Sequence, residues 1–343
     1  MSNKQINGNN STNQQAEKII NNYGMSYSDV KEIALEVFRN NFLQLSKEAN
    51  DEVIARANQL IEDFLQKLQK ENIQGINECK NPDFQYVLYE AGKSYARSGE
   101  KNQEALLVNL LVERTKQTSR SILQIVLDES IQVVQKLTQE QINILSVLFL
   151  LNYTRLVTPS CLNDIYQNWN LYLIPLISNL TSNYTNIQHL SYASCGTETV
   201  DDRSLSTVIL HAYPGFFSDG FSQEEWDKQQ IQSPIAKTIL KQNKQSLHLL
   251  YASKDDLEEF CKKNNIIDED KNKLCNLLTC HMLDKNKCKQ KVINEFPQIK
   301  PLFDIYEDAG FDHFRLTSVG IAIGYSNIKQ YDPTFTDLSI WIK

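Results

Sequence analysis

From residue 25 to about residue 155, apolar residues recur every three or four positions, a period that dictates helices. Val30, Ile33, Ala34, Val37, Phe38 and Leu45 form one stripe. Ser26 or Ser28 can cap its start, and Ser26 with Asp29 fits the looser capping-box spacing. A second stripe begins near Asp51 and runs through Val53, Ile54, Ala57, Leu60, Ile61, Phe64, Leu65 and Leu68, so the two read as a helical hairpin. Pro82 opens a third helix over 83–96, stopped near Gly99. A fourth over 102–115 is apolar on more than one face, a fifth covers 121–136, and the box Thr138 to Gln141 opens a sixth through Leu151. Six helices on short polar turns predict an all-α bundle over 25–155.

Residues 156–343 alternate less regularly and predict an α-rich domain with minor β. A helix over 162–180 should bend or break at Pro175, while 189–200 fits neither period cleanly. The apolar run 205–213 stops at Pro214-Gly215, and the turn that follows carries Phe216, Phe217 and Phe221, which core burial accounts for best. Ser222 and Ser253 cap two more helices, the second reaching Lys263 with a partner over 268–283. Residues 247–251 and 314–316 read as short extended segments, Thr317 caps a helix to about Gln330, and 338–342 reads as a closing strand. The expected fold is thus mainly α: an N-terminal helical bundle followed by an irregular α-rich half with a few short strands.

Composition narrows the classes. In a chain of 343 residues, 41% hydrophobic and 22% charged, two domains can each bury a core. Eleven Gly and eight Pro are few for a sheet-rich fold. A net charge of −7 gives no general pull toward nucleic acid or anionic lipid, so neither is expected as a partner. The first residues lack an apolar signal region, and the longest apolar run, 142–151, is about half the ~20 residues a membrane helix needs. Seven irregularly spaced Cys suit free thiols in a reducing cytoplasm, the expected location.

Candidate chemistry is sparse. Cys261, Cys275, Cys280, His281 and Cys288 include no close C-x-x-C pair. On one helix Cys275 and Cys280 would point about 140° apart. Free thiols are the expected state, with no metal and no cofactor. Cys195 with His211 or His189 is the one conceivable thiol–base pair, without a protease signature around it, and catalytic residues stay unassigned. The acidic pairs Asp201-Asp202, Glu224-Glu225, Asp255-Asp256 and Glu258-Glu259 and the run Asp268 to Asp270 fall mostly at helix starts, where they complement the macrodipole. The helices over 254–263 and 268–283 have helix-turn-helix proportions, but Asp268, Glu269 and Asp270 would repel phosphates. Gly320 and Gly324 are read as permitting close approach of a neighbouring element. No phosphate-loop motif occurs.

The head, residues 1–24, is different in kind. It is polar, rich in Asn and Gln from Asn9 to Gln15, and has Ile19-Ile20 among polar residues. It reads either as an oligomerisation element laddering between copies or as a disordered tail. Together with Asn10 to Asn13 and Gln15-Ala16, the segment 24–38 (GMSYSDVKEIALEVF) resembles an uncharacterised family of bacterial proteins. So do 95–99 (YARSG), 111–114 (LVER), 213–221 (YPGFFSDGF), 316–324 (LTSVGIAIG) and 338–342 (LSIWI). The resemblance spans nearly the whole chain and implies no assigned reaction. The head is similar to those of proteins from anti-phage defence loci, which implies such a context by association.

Together these readings lead to a non-enzymatic helical interaction or assembly protein, acting as sensor or scaffold, that forms a homo-oligomer through its head and meets a protein partner. The alternative is a toxic effector enzyme, hydrolase or nuclease, with its site in the C-terminal half.

Overall fold

The computed structural model describes residues 26–41, 47–201, 203–243, 246–332 and 335–343. The head, 1–24, and Leu45 lie outside the described residues. The protein is mainly α. Six helices form the first half: α1 Tyr27–Asn41, α2 Lys47–Glu71, α3 Pro82–Ser98, α4 Lys101–Thr115, α5 Ile122–Val134 and α6 Gln139–Tyr153. The caps are those the sequence encodes. The Ser26 and Asp29 side chains exchange reciprocal bonds with each other's backbone N–H (3.2 and 2.8 Å), and Thr138 with Gln141 does the same (3.2 and 3.0 Å). A 3-10 segment, Ile73–Lys80, fills the connection between α2 and α3.

The second half adds α7 Leu162–Tyr172, α8 Ile174–Ile177, α9 Thr185–Tyr192, β1 Gly196–Glu198, α10 Leu205–Ala212, α11 Gln223–Gln229, β2 Leu240–Asn243, β3 Ser246–Leu249, α12 Lys254–Lys263, α13 Asp268–Thr279, α14 Lys285–Glu295, α15 Lys300–Asp308, β4 Phe314–Leu316 and α16 Ser318–Ile328. β1 pairs antiparallel with β4 (Gly196 opposite Leu316), and β2 with β3 (Leu240 opposite Leu249). The helix expected over 162–180 breaks at Leu173, two residues before Pro175. The expected closing strand is instead a 3-10 turn, Leu338–Ile340, because the Asp337 side chain accepts from Ser339 N (2.9 Å) and caps it.

The main apolar core runs across residue 155. α16 lies against α4, α5 and α6, and every residue from Val319 to Ile328 is buried. Such a helix needs neighbours on all sides. Its glycines supply the approach: a Cβ on Gly324 would stand 2.7 Å from the Leu145 carbonyl oxygen, and one on Gly320 would stand 1.9 Å from that of Cys195. Polar groups then fix its register. Asn109 Nδ2 donates to Ser326 O (2.8 Å), Asn327 Nδ2 to Ser146 Oγ (2.8 Å), and Lys329 pairs with Glu113.

A second apolar core belongs to a lobe inserted between Phe217 and Leu283. Phe221, Trp226, Ile239, Leu249, Leu257, Leu274 and Leu278 fill it, on α11 to α13, the β2–β3 hairpin and the segments that lead into α11 and β2. The chain leaves and returns through one neck: Leu283 N donates to Phe217 O (2.8 Å), Asp219 N to His281 O (2.9 Å), and Ser218 bridges Met282.

Candidate functional site

A cleft of about 990 Å³ opens between the helical body and the start of α12. Thr154 adopts an extended conformation and ends α6, so residues 154–157 run as a strip along the cleft. Tyr213 holds the strip from behind: its hydroxyl accepts from Leu156 N at 2.8 Å. α7 contributes Asn168 and Tyr172, α10 contributes Val208, His211 and Ala212, and Arg203 enters from the loop before α10. The C-terminal tail closes one side with Phe335 and Trp341. Trp341 Nε1 donates to Tyr153 O at 2.7 Å, and its ring stacks with Phe335 at 6.2 Å between centroids. A small apolar pit of about 30 Å³ adjoins the base, between Leu151, Trp169, Leu173 and Ile209.

The charges are unevenly placed. Arg155 pairs with Asp255 on α12, whose side chain is 67% exposed. Arg203 and His211 are exposed, and their side chains make no hydrogen bond or ion pair among the described residues. Burial pushes the Tyr153 phenol up, while Arg315 and Arg203 pull it down. Burial pushes Tyr172 up to about 12, reinforced by Asp332, to which its hydroxyl donates at 2.7 Å. Two guanidinium groups and an imidazole therefore face a cleft with an aromatic and aliphatic wall, beside the carboxylates of Asp255, which pairs with Arg155, and Asp332, which accepts from Tyr172. That is a binding arrangement for an anionic group with an apolar portion.

The residues singled out from the sequence are scattered. Cys195 is fully buried, its Sγ donates to Ala193 O (3.7 Å), and burial raises its thiol to about 12, so no thiolate is offered to a base. His189 Nδ1 lies 3.2 Å from Gln141 Oε1 on α6. His211 ends an apolar run that would fit a buried core histidine, but it is exposed, on the outward face at the end of α10, and makes no hydrogen bond with the buried Cys195. Cys261 and Cys275 lie in the lobe core, and Cys288 lies in the main core. α13 ends at Thr279, short of the expected 283, so Cys280 is an extended cap whose Sγ donates to Leu277 O (3.0 Å). His281 meets Glu225 at 2.7 Å. Among the described residues no three His, Cys, Asp or Glu side chains converge as a metal would require. At the start of α13, Asp268 and Glu269 pair with Lys271 and Lys273, while buried Asp270 accepts from the backbone N–H groups of Gln232 and Ser233. Phe217 and Phe221 are buried, as their burial energy argues, and Phe216 is half-buried.

Arg155 and Arg203 escaped sequence reasoning because neither sits in a motif and 48 positions separate them. The visible signal for Arg155 was an arginine directly after a long apolar helix, and Arg203 offered none.

No described helix is long and apolar enough to cross a membrane. One protein-family model matches residues 24–342, and its description assigns no activity. No curated protein and no solved structure matches the chain. The matched span takes in α1 to α16, the inserted lobe and all but the last residue of the tail, and the chain therefore belongs to the uncharacterised family that this model describes.

Proposed function

We propose that this is a bacterial helical interaction protein working through non-covalent contacts, with the cleft between body and lobe as its working surface. The observation that carries the reading is the pair Arg203 and His211, exposed in the cleft without hydrogen-bond or ion-pair partners among the described residues. Internal ion pairs serve the fold, whereas unpaired charge beside an apolar wall serves a partner, and the polar rim sets specificity and encounter rate. The partner expected is a protein presenting an acidic segment with apolar residues. The head remains the proposed assembly element, and anti-phage defence the proposed context, on the strength of the resemblance alone.

A photo-crosslinking residue at Val157, exposed on the cleft rim, tests the reading against one at Ile73, exposed on the far 3-10 segment. The expected result in bacterial cells is a discrete adduct from position 157 that Arg203→Glu abolishes. Identical patterns from both positions would remove the cleft from consideration. Deleting residues 1–24 and measuring mass by light scattering tests the head separately: an unchanged oligomer rules it out.

A further inference from the structure

We infer that the cleft holds an oxyanion site formed by Arg155, Arg203 and His211, and that Asp255 is its built-in competitor. The inference rests on the cleft being the working surface and adds a means of regulating it.

Arg155 lies on the body, in the strip after α6, and Asp255 on the first turn of α12, in the lobe. Among the described residues this is the one ion pair joining lobe to body. The other ion pairs of the lobe stay inside it: Lys228–Glu224, Lys263–Glu259 and Lys273–Glu269 are local, and His281–Glu225 joins the two ends of the lobe. Arg155, Arg203, His211 and Asp255 all line the same cleft. A guanidinium presents five N–H donors, and one carboxylate leaves part of that fork unused. Asp255 is well exposed, so its hold on Arg155 is weak and solvent-screened.

A ligand with several anionic oxygens can use Arg155, Arg203 and His211 together, which Asp255 cannot. Such a ligand displaces the Asp255 carboxylate from Arg155 and thereby removes the ion pair across the cleft. Phosphate and carboxylate groups share this chemistry, and the cleft has room for a small molecule of either kind.

The test is calorimetric titration of the full chain with tripolyphosphate and, separately, citrate, at fixed ionic strength. Arg203→Gln should weaken binding about tenfold or more. Asp255→Asn should tighten it several-fold by removing the competitor, while Lys300→Gln, an exposed lysine on α15, should leave it unchanged. Tighter tripolyphosphate identifies a phosphate ligand, and tighter citrate a carboxylate one. Unchanged or weaker binding in Asp255→Asn overturns the competitor role. An equal loss in Arg203→Gln and Lys300→Gln, or no binding of either anion, overturns the site. In that last case an adduct from position 157 that depends on Arg203 would leave the protein-docking reading standing, so the two failures are separable.

Discussion

The body and the inserted lobe are held together in opposite ways. In the body, helices from both ends of the chain share one core, and besides exposed local pairs such as Lys300–Asp304 it draws some charges inside. Arg114 on α4 is fully buried and binds Asp83 of α3 (2.7 Å) and Asp128 of α5 (2.6 Å). Lys329, just past α16, is buried against Glu113. The lobe has a small core of its own, and most of its ion pairs lie on the surface between residues three or four apart, while buried Asp270 is satisfied by backbone N–H groups. Its seat on the body includes a neck of backbone bonds, the turn at Gly215 on which Leu278 rests, Ala252 in the main core and the solvent-facing Arg155–Asp255 pair. Buried pairs are costly to break but enforce one arrangement, whereas exposed pairs cost little and can be exchanged. A binding cleft placed between the two regions inherits one fixed wall and one replaceable tie.

The sharpest way to break this contrast is at Arg114. Arg114→Ala strands two carboxylates between α3, α4 and α5, and loss of one partner from a buried ion pair costs about 3–5 kcal/mol. The exposure of Asp83 places the expected loss at the lower end, about 3 kcal/mol in denaturant unfolding. Arg114→Met, which keeps much of the volume, should cost less. By contrast Asp255→Ala should change stability by less than about 1 kcal/mol, as an exposed pair does. Equal losses for Arg114→Ala and Asp255→Ala would erase the distinction between the regions.

A matched pair of glycines comes next. A Cβ on Gly320 would stand 1.9 Å from the Cys195 carbonyl oxygen, deep in the body, and one on Gly215 would stand 2.0 Å from that of Tyr251, at the lobe's seat. The local insult is nearly the same, and overpacking of this kind costs about 1–3 kcal/mol. Gly320→Ala should lower the stability of the whole body, because α16 cannot retreat without opening the core. Gly215→Ala should unseat the lobe and leave the body's melting in place. Trp226 lies in the lobe, Trp169 and Trp341 in the body, so Trp226→Phe separates the two fluorescence transitions. A single shared transition shifted equally by both substitutions would show that the lobe is not a separate unit.

What the sequence disclosed was local. Capping residues such as Thr138, Ser222, Ser253 and Thr317 each accept the expected backbone N–H, because a cap and its target lie within three residues. The close approach signalled by Gly320 and Gly324 was legible too, since only a missing side chain permits it. The partners were not legible. Nothing in 318–328 names α6, because a helix that is buried on every side is compatible with any surrounding core. The tail over 338–342 alternates like a strand, yet Asp337 caps it into a turn and Trp341 finds Tyr153 O far back in the chain. The cleft failed for the same reason, since Arg155, Arg203 and Asp255 come from three separated segments and meet only through tertiary packing.

The smallest expected effect concerns acid. Glu225, in the capping box of α11, is held at about 2, first by the N–H of Ser222 (2.7 Å), then by His281 (2.7 Å) and the Ser222 hydroxyl. A carboxyl depressed on folding adds stability that is fully present above its unfolded value near 4.5 and is lost as the pH falls from there toward 2. Glu225→Gln keeps a side chain able to accept from Ser222 N but removes the titration. In the wild-type protein the lobe transition reported by Trp226, which stacks on Phe221 at 6.2 Å, should therefore weaken more steeply between pH 4.5 and 2 than in Glu225→Gln. The body transition should respond identically in both proteins, since Glu225 touches only lobe residues. Parallel acid slopes for the lobe would mean that this exposed carboxylate contributes nothing to it, and that the lobe's stability rests on its apolar core alone.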